Sequence, residues 1–474
     1  MTMTRRWTCG LIVATVSAAT WLSAGSVEPG AAADVYTMPQ AKEQSLDVVM
    51  INGGGRPPHI AVPPFLVMAA DRGLQDASRT VTEVLSADLA FEREFDVVPT
   101  ANYAGIPVAP SVEDLPYERW AALGADFVAL GAVKPAAGGK FDVELRVMSV
   151  KERRQSYSGA FNGSALGLRR IAHLLSDDMH KVMRGVNGVA CTRIAYSSTV
   201  DGEHASRTVE NRTAKEIYIM DYDGANVQKV TSNRFLNLSP SWCPGGQCLA
   251  YMSYAPNDRP DIVWQNIFGV VSASYPAHGS DRIHNYLPRI SPDGMKIAYG
   301  SSRNGQAMDI YVVNRDGSGE TRLTNDPKSD GSPTWSPSGN LLAFTSNRSG
   351  SLKIYTMNPD GSSVRVIDNN CSYCDRPTFA PGQTGLLLAY SNQTGRDTHD
   401  IDVFDFNTGA TRRLTNNVAT NESPSFAPNG RHILFMTTRW GKEQLAIVDI
   451  DGKNVRQLTR TGANTWPSWS GFLK

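Results

Sequence analysis

Short apolar runs with one shared pattern recur through the second half of the chain. Each run has an aliphatic residue, then Ala or Leu, an aromatic residue, a variable residue and a small polar residue. Successive runs start 55, 48, 45, 46 and 45 residues apart. A period of about 45 residues with short alternating strands is typical of a β-propeller that has one four-stranded sheet per repeat. The pattern therefore predicts six blades, whose apolar runs begin at Ile194, Leu249, Ile297, Leu342, Leu388 and Ile433.

Turn residues divide each repeat into four strands. Most repeats open with a strand that ends in a turn containing Pro and Gly, such as Ser291-Pro-Asp-Gly294. The strand after the apolar run leads to an Asp-Gly pair, as at Asp316-Gly317, which is a strong hairpin signal. The second repeat has Phe268-Gly269 at this point. A fourth strand is predicted to end at Val230-Thr231, Leu323-Thr324, Leu414-Thr415 and Leu458-Thr459.

The two ends of the repeat region predict how the ring closes. The first repeat begins at Thr192 without an opening Pro-containing strand, whereas the chain ends with a lone strand of that kind, Trp466–Gly471. The last residues are therefore expected to complete the first blade. Closure of this kind removes exposed sheet edges that would otherwise favour aggregation.

The first half of the chain has no such repeat. Residues 34–187 alternate strand-like runs with amphipathic segments, which predicts a compact α/β domain ahead of the propeller at 188–474. A glycine run, Gly53–Gly55, has no Lys-Ser/Thr after it, so a turn is favoured over a phosphate-binding loop. Helices are predicted at Thr80–Glu92, Glu118–Leu123 and Leu168–Arg184, and strands at Leu46–Ile51, His59–Phe65, Phe95–Val98, Phe127–Leu130, Phe141–Met148 and Ser156–Phe161.

The first 33 residues indicate export. Arg5 and Arg6 precede the apolar run Leu11–Leu22, which is too short and too interrupted to span a bilayer. The small residues Ala31–Ala33 then provide a cleavage site before Asp34, and a cut near Ser23–Ser26 stays open as the alternative. A signal peptide over 1–33 and a periplasmic location are therefore predicted.

The balance of charges narrows the class of partner. The 474 residues include 46 Lys and Arg against 46 Asp and Glu, so the formal net charge is zero. Binding to nucleic acid or to an anionic membrane surface usually depends on an excess of basic residues. Nucleic acid is therefore not expected as a partner, and the mature chain is expected to be a soluble monomer.

Four of the six cysteines form two short-range pairs. Cys243 and Cys248 flank a Pro-Gly turn in one blade, whereas Cys371 and Cys374 lie before the first strand of another. Four thiolates could hold a metal ion, but these pairs lie at opposite ends of strands in different blades. Two local disulfides are therefore favoured. Cys191 has no evident mate and is expected to be a buried, inert thiol at the domain junction.

Enzymatic functions lack the residues that they need. The chain has no Gly-x-Ser-x-Gly sequence and no His-Glu-x-x-His motif, so neither a serine peptidase nor a zinc peptidase is indicated. The Asp-Gly turns lie one per blade, so their acidic residues cannot converge on one calcium ion. We predict no enzyme activity and no cofactor. A propeller that holds a ligand or a cation in its channel, or the remnant of a prolyl oligopeptidase-like peptidase, stays open as the alternative.

The order of these parts resembles the TolB family of the Tol-Pal system, and the resemblance covers essentially the whole mature chain. It implies a periplasmic scaffold that binds the peptidoglycan-associated lipoprotein Pal across one mouth of the propeller and TolA through the mature N-terminus. Such a protein is peripheral to the outer membrane through Pal, helps to maintain that membrane, and acts in its constriction at division. The stretches that carry the resemblance are Ile60–Phe65, Trp120–Val128, Thr192–Tyr196, Asp221–Gly224, His284-Asn285 and Pro467–Ser470.

The resemblance also implies where each partner binds. For Pal it points to the loops that enter the first strands of the blades. For TolA it points to an arm from Asp34 to about Gln44, which is polar and suited to ordering on binding. This arm departs from the family in length and composition. The residues implied for Pal are His284 and Asn285, with Leu287 and Gly331 nearby, and those implied for TolA are Asp34, Val35 and Tyr36.

Overall fold

A computed structural model describes ten stretches of the chain. The predicted signal peptide, the TolA arm and the predicted strand Leu46–Ile51 lie outside them. Within the described residues, no helix is both long and apolar enough to cross a membrane. The described ranges are 56–67, 71–202, 213–255, 259–268, 273–277, 283–305, 307–367, 371–382, 386–416 and 418–473.

The first described region is an α/β unit with a mixed sheet. Its strands have the order β3-β1-β4-β5-β6, and β2 pairs with a further stretch of β4. The first three strands pair in parallel, whereas β4, β5 and β6 form an antiparallel meander. The strands are β1 (His59–Ala61), β2 (Leu66–Val67), β3 (Asp96–Val97), β4 (Phe127–Ala136), β5 (Lys140–Ser149) and β6 (Arg154–Gly163), and the helices are α1 (Arg72–Glu92), α2 (Tyr117–Ala122) and α3 (Leu168–Met179).

Helix α1 begins eight residues before its predicted start. Asp71 caps it, because its side chain accepts a hydrogen bond from the backbone N of Leu74 at 2.9 Å. The first two turns bury little besides Leu74 and Ala77, so an apolar period is not visible there. Helix α3 continues as a π-helical turn, His180–Arg184, and ends where the sequence predicts.

Both faces of the sheet are covered. Helices α1 and α3 pack on one face around a core that includes Leu85, Leu145 and Ile171. On the other face, α2 and the preceding loop pack Trp120 and Leu115 against Val128. The sheet therefore lies between two cores, and the core shared by α1 and α3 fixes the C-terminal end of α1 in place.

The rest of the chain forms six four-stranded sheets, which confirms the predicted six-bladed propeller. Blade one contains β7 (Arg193–Ser198), β8 (Glu216–Asp221) and β9 (Gln228–Lys229). Blade two contains β10 (Asn237–Trp242), β11 (Cys248–Ser253), β12 (Asp261–Asn266) and β13 (Ala273–Ala277), and blade three contains β14 (Asn285–Ile290), β15 (Lys296–Ser301), β16 (Asp309–Asn314) and β17 (Thr321–Arg322). Blade four contains β18 (Asp330–Trp335), β19 (Leu342–Ser346), β20 (Lys353–Met357) and β21 (Arg365–Val366), and blade five contains β22 (Cys374–Phe379), β23 (Leu387–Gln393), β24 (His399–Asp405) and β25 (Thr411–Arg413). Blade six contains β26 (Asn421–Phe426), β27 (His432–Thr437), β28 (Gln444–Asp449) and β29 (Arg456–Gln457).

The last strand closes the ring as predicted. Strand β30 (Asn464–Trp469) pairs antiparallel with β7, and blade one has the order β30-β7-β8-β9. Trp469 is buried, and its indole Nε1 donates to Thr192 Oγ1 at 2.8 Å. The chain ends therefore meet inside one sheet.

The outermost strands end earlier than the sequence predicts. The Leu-Thr and Val-Thr pairs follow these strands, and the Thr hydroxyls bind the neighbouring strand. Thr231 Oγ1 accepts from the backbone N of Ile217 at 2.8 Å, and Thr324 does the same for Ile310 at 2.9 Å. Each Thr therefore satisfies a donor that the short outer strand leaves unpaired.

The four paired cysteines form two local disulfides, Cys243–Cys248 and Cys371–Cys374, while Cys191 is a free thiol. Burial raises the pKa of Cys191 well above its ordinary value, so the thiol stays protonated and unreactive at neutral pH. Cys374 is the first residue of β22 and does not lie in the loop before it, where the sequence predicted it.

Removal of the Cys243–Cys248 disulfide is expected to lower the free energy of unfolding by about 2 kcal/mol, because the bond closes a short loop in the unfolded chain. Urea unfolding of the Cys243→Ala/Cys248→Ala variant measures this. The wild-type protein in dithiothreitol should shift in the same direction. Equal stability of variant and wild type would show that loop closure contributes nothing.

Candidate protein-binding site at the propeller mouth

The two ends of the propeller differ in what covers them. We call one end the base: it carries the turns that follow the innermost and third strands, such as 291–295 and 315–320. We call the other end the mouth: it carries the loops that enter the innermost strands and those between the second and third strands, such as 347–352 and 438–443. Successive strands of a blade run antiparallel, so every blade contributes to both ends in this way.

The C-terminal end of α1 docks on the base. Phe91 inserts between blades one and six, with its ring 4.9 Å from Tyr222 and 4.5 Å from His432. The Arg456 guanidinium lies over the same ring at 3.9 Å. The described part of the α/β unit therefore binds the base and leaves the mouth open.

Glu92 is a buried charge at this junction with partners from both units. Its side chain is 2% exposed, and Oε1 accepts from the backbone N of Val189 at 2.8 Å. Oε2 accepts from Asn429 Nδ2 at 3.1 Å, and Arg431 and His432 each lie 3.5 Å away. Burial alone would raise the pKa of Glu92, but these hydrogen bonds and positive charges outweigh it and lower the pKa.

Two further carboxylates, Asp449 and Asp88, extend the junction. Asp449 of blade six accepts from Arg93 at 2.7 Å and from His432 at 3.0 Å. Asp88 of α1 pairs with His173 at 2.8 Å and accepts from the Tyr222 hydroxyl at 2.6 Å. Burial raises the pKa of Asp88 despite these partners. Because both units contribute charged and aromatic groups, the junction is specific in its geometry.

The residues implied for Pal lie at the mouth in different environments. His284 is half-buried, and its Nδ1 lies 3.2 Å from the Tyr286 hydroxyl. Leu287 is half-buried on the same innermost strand, and Gly331 is buried on the next blade. Asn285 is fully buried, and its Nδ2 donates to Asp261 Oδ1 at 2.9 Å. The structure thus leaves His284 and Leu287 partly exposed near the mouth, whereas Asn285 is buried and binds across to blade two.

A ring of strained residues surrounds the channel behind the mouth. Each innermost strand has a β-bulge whose first residue, just before Pro, has a positive φ of 48–56°. Contacts across blades show that these side chains face the centre, since the Arg376 guanidinium lies 4.1 Å from the Trp466 ring. The six residues are Ser239, Leu287, Ser332, Arg376, Ser423 and Trp466.

Exposed apolar side chains at the mouth were not predicted from the sequence. Val200, Tyr373, Val418 and Trp440 are 42%, 43%, 55% and 42% exposed. Exposed aromatic residues at a rim are typical of protein-binding surfaces. The sequence signal that could have found them is their place in loops that all lie at one end of the ring. These loops are 199–202, 371–373, 418–420 and 438–443.

Comparison with known proteins assigns the chain to a family. Residues 46–156 match the TolB amino-terminal domain and residues 180–473 match the TolB beta propeller domain. The Tol-Pal system protein TolB of Bordetella pertussis is 32% identical over 414 residues, which cover 86% of this chain and 89% of the relative. The chain belongs to the TolB family.

Other TolB proteins agree with this assignment. The Tol-Pal system protein TolB of Bordetella bronchiseptica is also 32% identical over 414 residues, covering 86% of this chain and 88% of the relative. The crystal structure of TolB from Acinetobacter baumannii has a TM-score of 0.73 at 25% identity, covering 88% of this chain and 98% of that one. TolB proteins are non-enzymatic components of the Tol-Pal system, so the prediction that the chain is not an enzyme is confirmed.

Proposed function

We propose that the chain is a periplasmic scaffold of the Tol-Pal system that binds the Pal lipoprotein at the propeller mouth. The observation that supports this is the contrast between the two ends: α1 docks on blades one and six at the base, while the mouth presents Trp440, Tyr373 and Val418 to solvent. Exposed aromatic and apolar side chains at one end of the ring suit a folded protein partner.

The same proposal covers the export of the protein, its binding to TolA and its role at the outer membrane. The signal peptide 1–33 is removed on export, and the arm that starts at Asp34, Val35 and Tyr36 binds TolA. Pal, a lipoprotein, links the scaffold to the outer membrane, so that the monomeric protein helps to maintain the membrane and to constrict it at division. No channel ion or other cofactor is part of this proposal.

The test is calorimetric titration of residues 34–474 with the soluble domain of Pal from the same organism. We expect a Kd in the micromolar range or tighter. Trp440→Ala should raise the Kd at least tenfold, because a truncated aromatic anchor costs about 2 kcal/mol or more. His284→Ala should weaken binding less, because the ring is half-buried against Tyr286.

The matched control is Met295→Ala. Met295 is 55% exposed at the base of blade three, so its truncation removes a comparable apolar surface from the other end of the ring. It should leave the Kd unchanged. Absence of binding by folded wild-type protein would refute the Pal assignment and favour a small ligand or an ion in the channel. Equal losses for Trp440→Ala and Met295→Ala would refute the choice of the mouth.

A further inference from the structure

One blade departs from the pattern of the other five inside the channel. The residue that follows Pro in each innermost strand is Ser or Thr in five blades, and it is Arg289 in blade three. In blades two and six this hydroxyl binds a backbone group of the next blade: Ser241 Oγ accepts from the backbone N of Ile290 at 3.1 Å, and Ser425 Oγ accepts from that of Trp469 at 2.9 Å. A guanidinium has no acceptor and cannot do this. The five small residues are Ser241, Thr334, Thr378, Ser425 and Ser468.

The Arg289 guanidinium lies at the level of the bulge ring. Its Nη1 is 3.5 Å from the hydroxyl of Ser239, the bulge residue of blade two, and 3.2 Å from the carbonyl of Pro288. The residue is partly buried. Among the described residues, no carboxylate lies within 4.0 Å of the guanidinium. The charge therefore projects into the channel with only neutral acceptors around it.

The second arginine of the channel shows the usual arrangement. Arg376 forms an ion pair with Glu422, lies 3.7 Å from Asp375, and donates to Ser423 Oγ at 2.8 Å. Its charge is therefore balanced. Burial and the positive charge of Arg376 lower the pKa of Arg289 to about 10, so Arg289 still carries its charge at neutral pH.

A partly desolvated cation without an anion costs free energy, and an arriving carboxylate would offset that cost. The planar guanidinium matches a carboxylate with two parallel hydrogen bonds, which adds geometric specificity. The bulge ring lies directly behind the apolar mouth, where a bound protein could insert a side chain. A partner that covers the mouth would also exclude water and strengthen the pair.

We propose that Arg289 binds the carboxylate of an acidic side chain that the protein partner inserts through the mouth into the channel. This inference rests on the proposed function, since it concerns the same end of the propeller. It assigns to blade three a specificity-determining residue for that partner, which the repeat pattern of the other five blades lacks.

The test uses Arg289→Thr, which restores the residue type that the chain itself has in the other blades. The variant should therefore fold, as judged by an unchanged circular dichroism spectrum and melting temperature. Calorimetric titration with the soluble Pal domain should show a Kd raised at least tenfold and a weaker dependence on salt. Neutralisation of each Asp and Glu of the Pal domain in turn should identify one residue whose loss weakens binding to wild type but not to Arg289→Thr.

The control is Arg315→Thr, the same substitution at an exposed position of the base in the same blade. It should leave Kd and salt dependence unchanged. An unchanged Kd for Arg289→Thr, together with lost binding for Trp440→Ala, would overturn this inference and leave the proposed function intact. Wild-type protein that does not bind Pal would overturn both. Inorganic phosphate that stabilises wild type but not Arg289→Thr, with Pal binding equal in the two, would show a site for a free anion and also overturn it.

Discussion

Deletion of residues 463–474 is expected to abolish folding of the propeller. The deletion removes β30, so β7 loses its antiparallel partner and blade one keeps only three strands. Thr192 also loses the hydrogen bond from the Trp469 indole. The ring would then be open, with exposed sheet edges on both sides of the gap, and such edges favour aggregation. Expression with size-exclusion chromatography measures the outcome, and we expect aggregated protein only.

Two further variants separate closure from simple shortening. Deletion of residues 472–474 leaves β30 intact and should yield a folded monomer. Trp469→Ala keeps the strand but leaves a cavity between blades, and should lower the free energy of unfolding by about 3–5 kcal/mol. A soluble, cooperatively melting protein from the 463–474 deletion would contradict the role of strand closure.

Replacement of Glu92 by Ala should have the second largest effect, a loss of about 3 kcal/mol, because it removes the buried charge that Arg431 and His432 share and leaves them only Glu94 and Asp449. Val189 N and Asn429 Nδ2 also lose their acceptor. We expect the loss in the transition that undocks the α/β unit from the base. Urea unfolding, combined with limited proteolysis of the connecting segment 185–192, measures it.

The effect of Glu92→Ala should depend on pH with a defined sign. The folded-state pKa of Glu92 is lowered from 4.5, so its charge stabilises the folded protein above about pH 4.5. This stabilisation is lost as the pH falls through the folded-state pKa, and variant and wild type should converge in acid. The matched control is Glu83→Ala at an exposed position of the same helix, which should change stability little at any pH. A loss of equal size in the two variants would contradict the assignment.

Much of the architecture followed from local pattern. A repeat of about 45 residues makes each blade a unit of the same kind, so the apolar runs and Asp-Gly turns indicated both the number of blades and the closing strand. The pairings of Cys243 with Cys248 and of Cys371 with Cys374 also followed from their place in the repeat. Errors occurred where local signals are weak: α1 began earlier because its first turns are polar, and the outer strands ended before their Thr residues.

The candidate site depended more on tertiary structure. The sequence pointed to His284 and Leu287, but only packing showed that neighbouring Asn285 is buried and hydrogen-bonded to Asp261 of the adjacent blade. Trp440 likewise could be recognised as an exposed residue of the mouth only from the tertiary structure, which shows at which end of the ring its loop lies. Whether a side chain is exposed or buried depends on residues that are distant in the sequence and close in space. A local sequence pattern therefore does not predict it.

The sequence by itself determined the fold class, the closure of the ring and the family resemblance, because these rest on turn chemistry and on the spacing of apolar residues. Only the tertiary structure decided which end of the propeller is free. That outcome depends on where Phe91 and Glu92 dock, more than 300 residues from their partners on blade six. It likewise decided that Arg289 has no anionic partner among the described residues, because the arrangement of the blades determines which charged side chains meet at the channel.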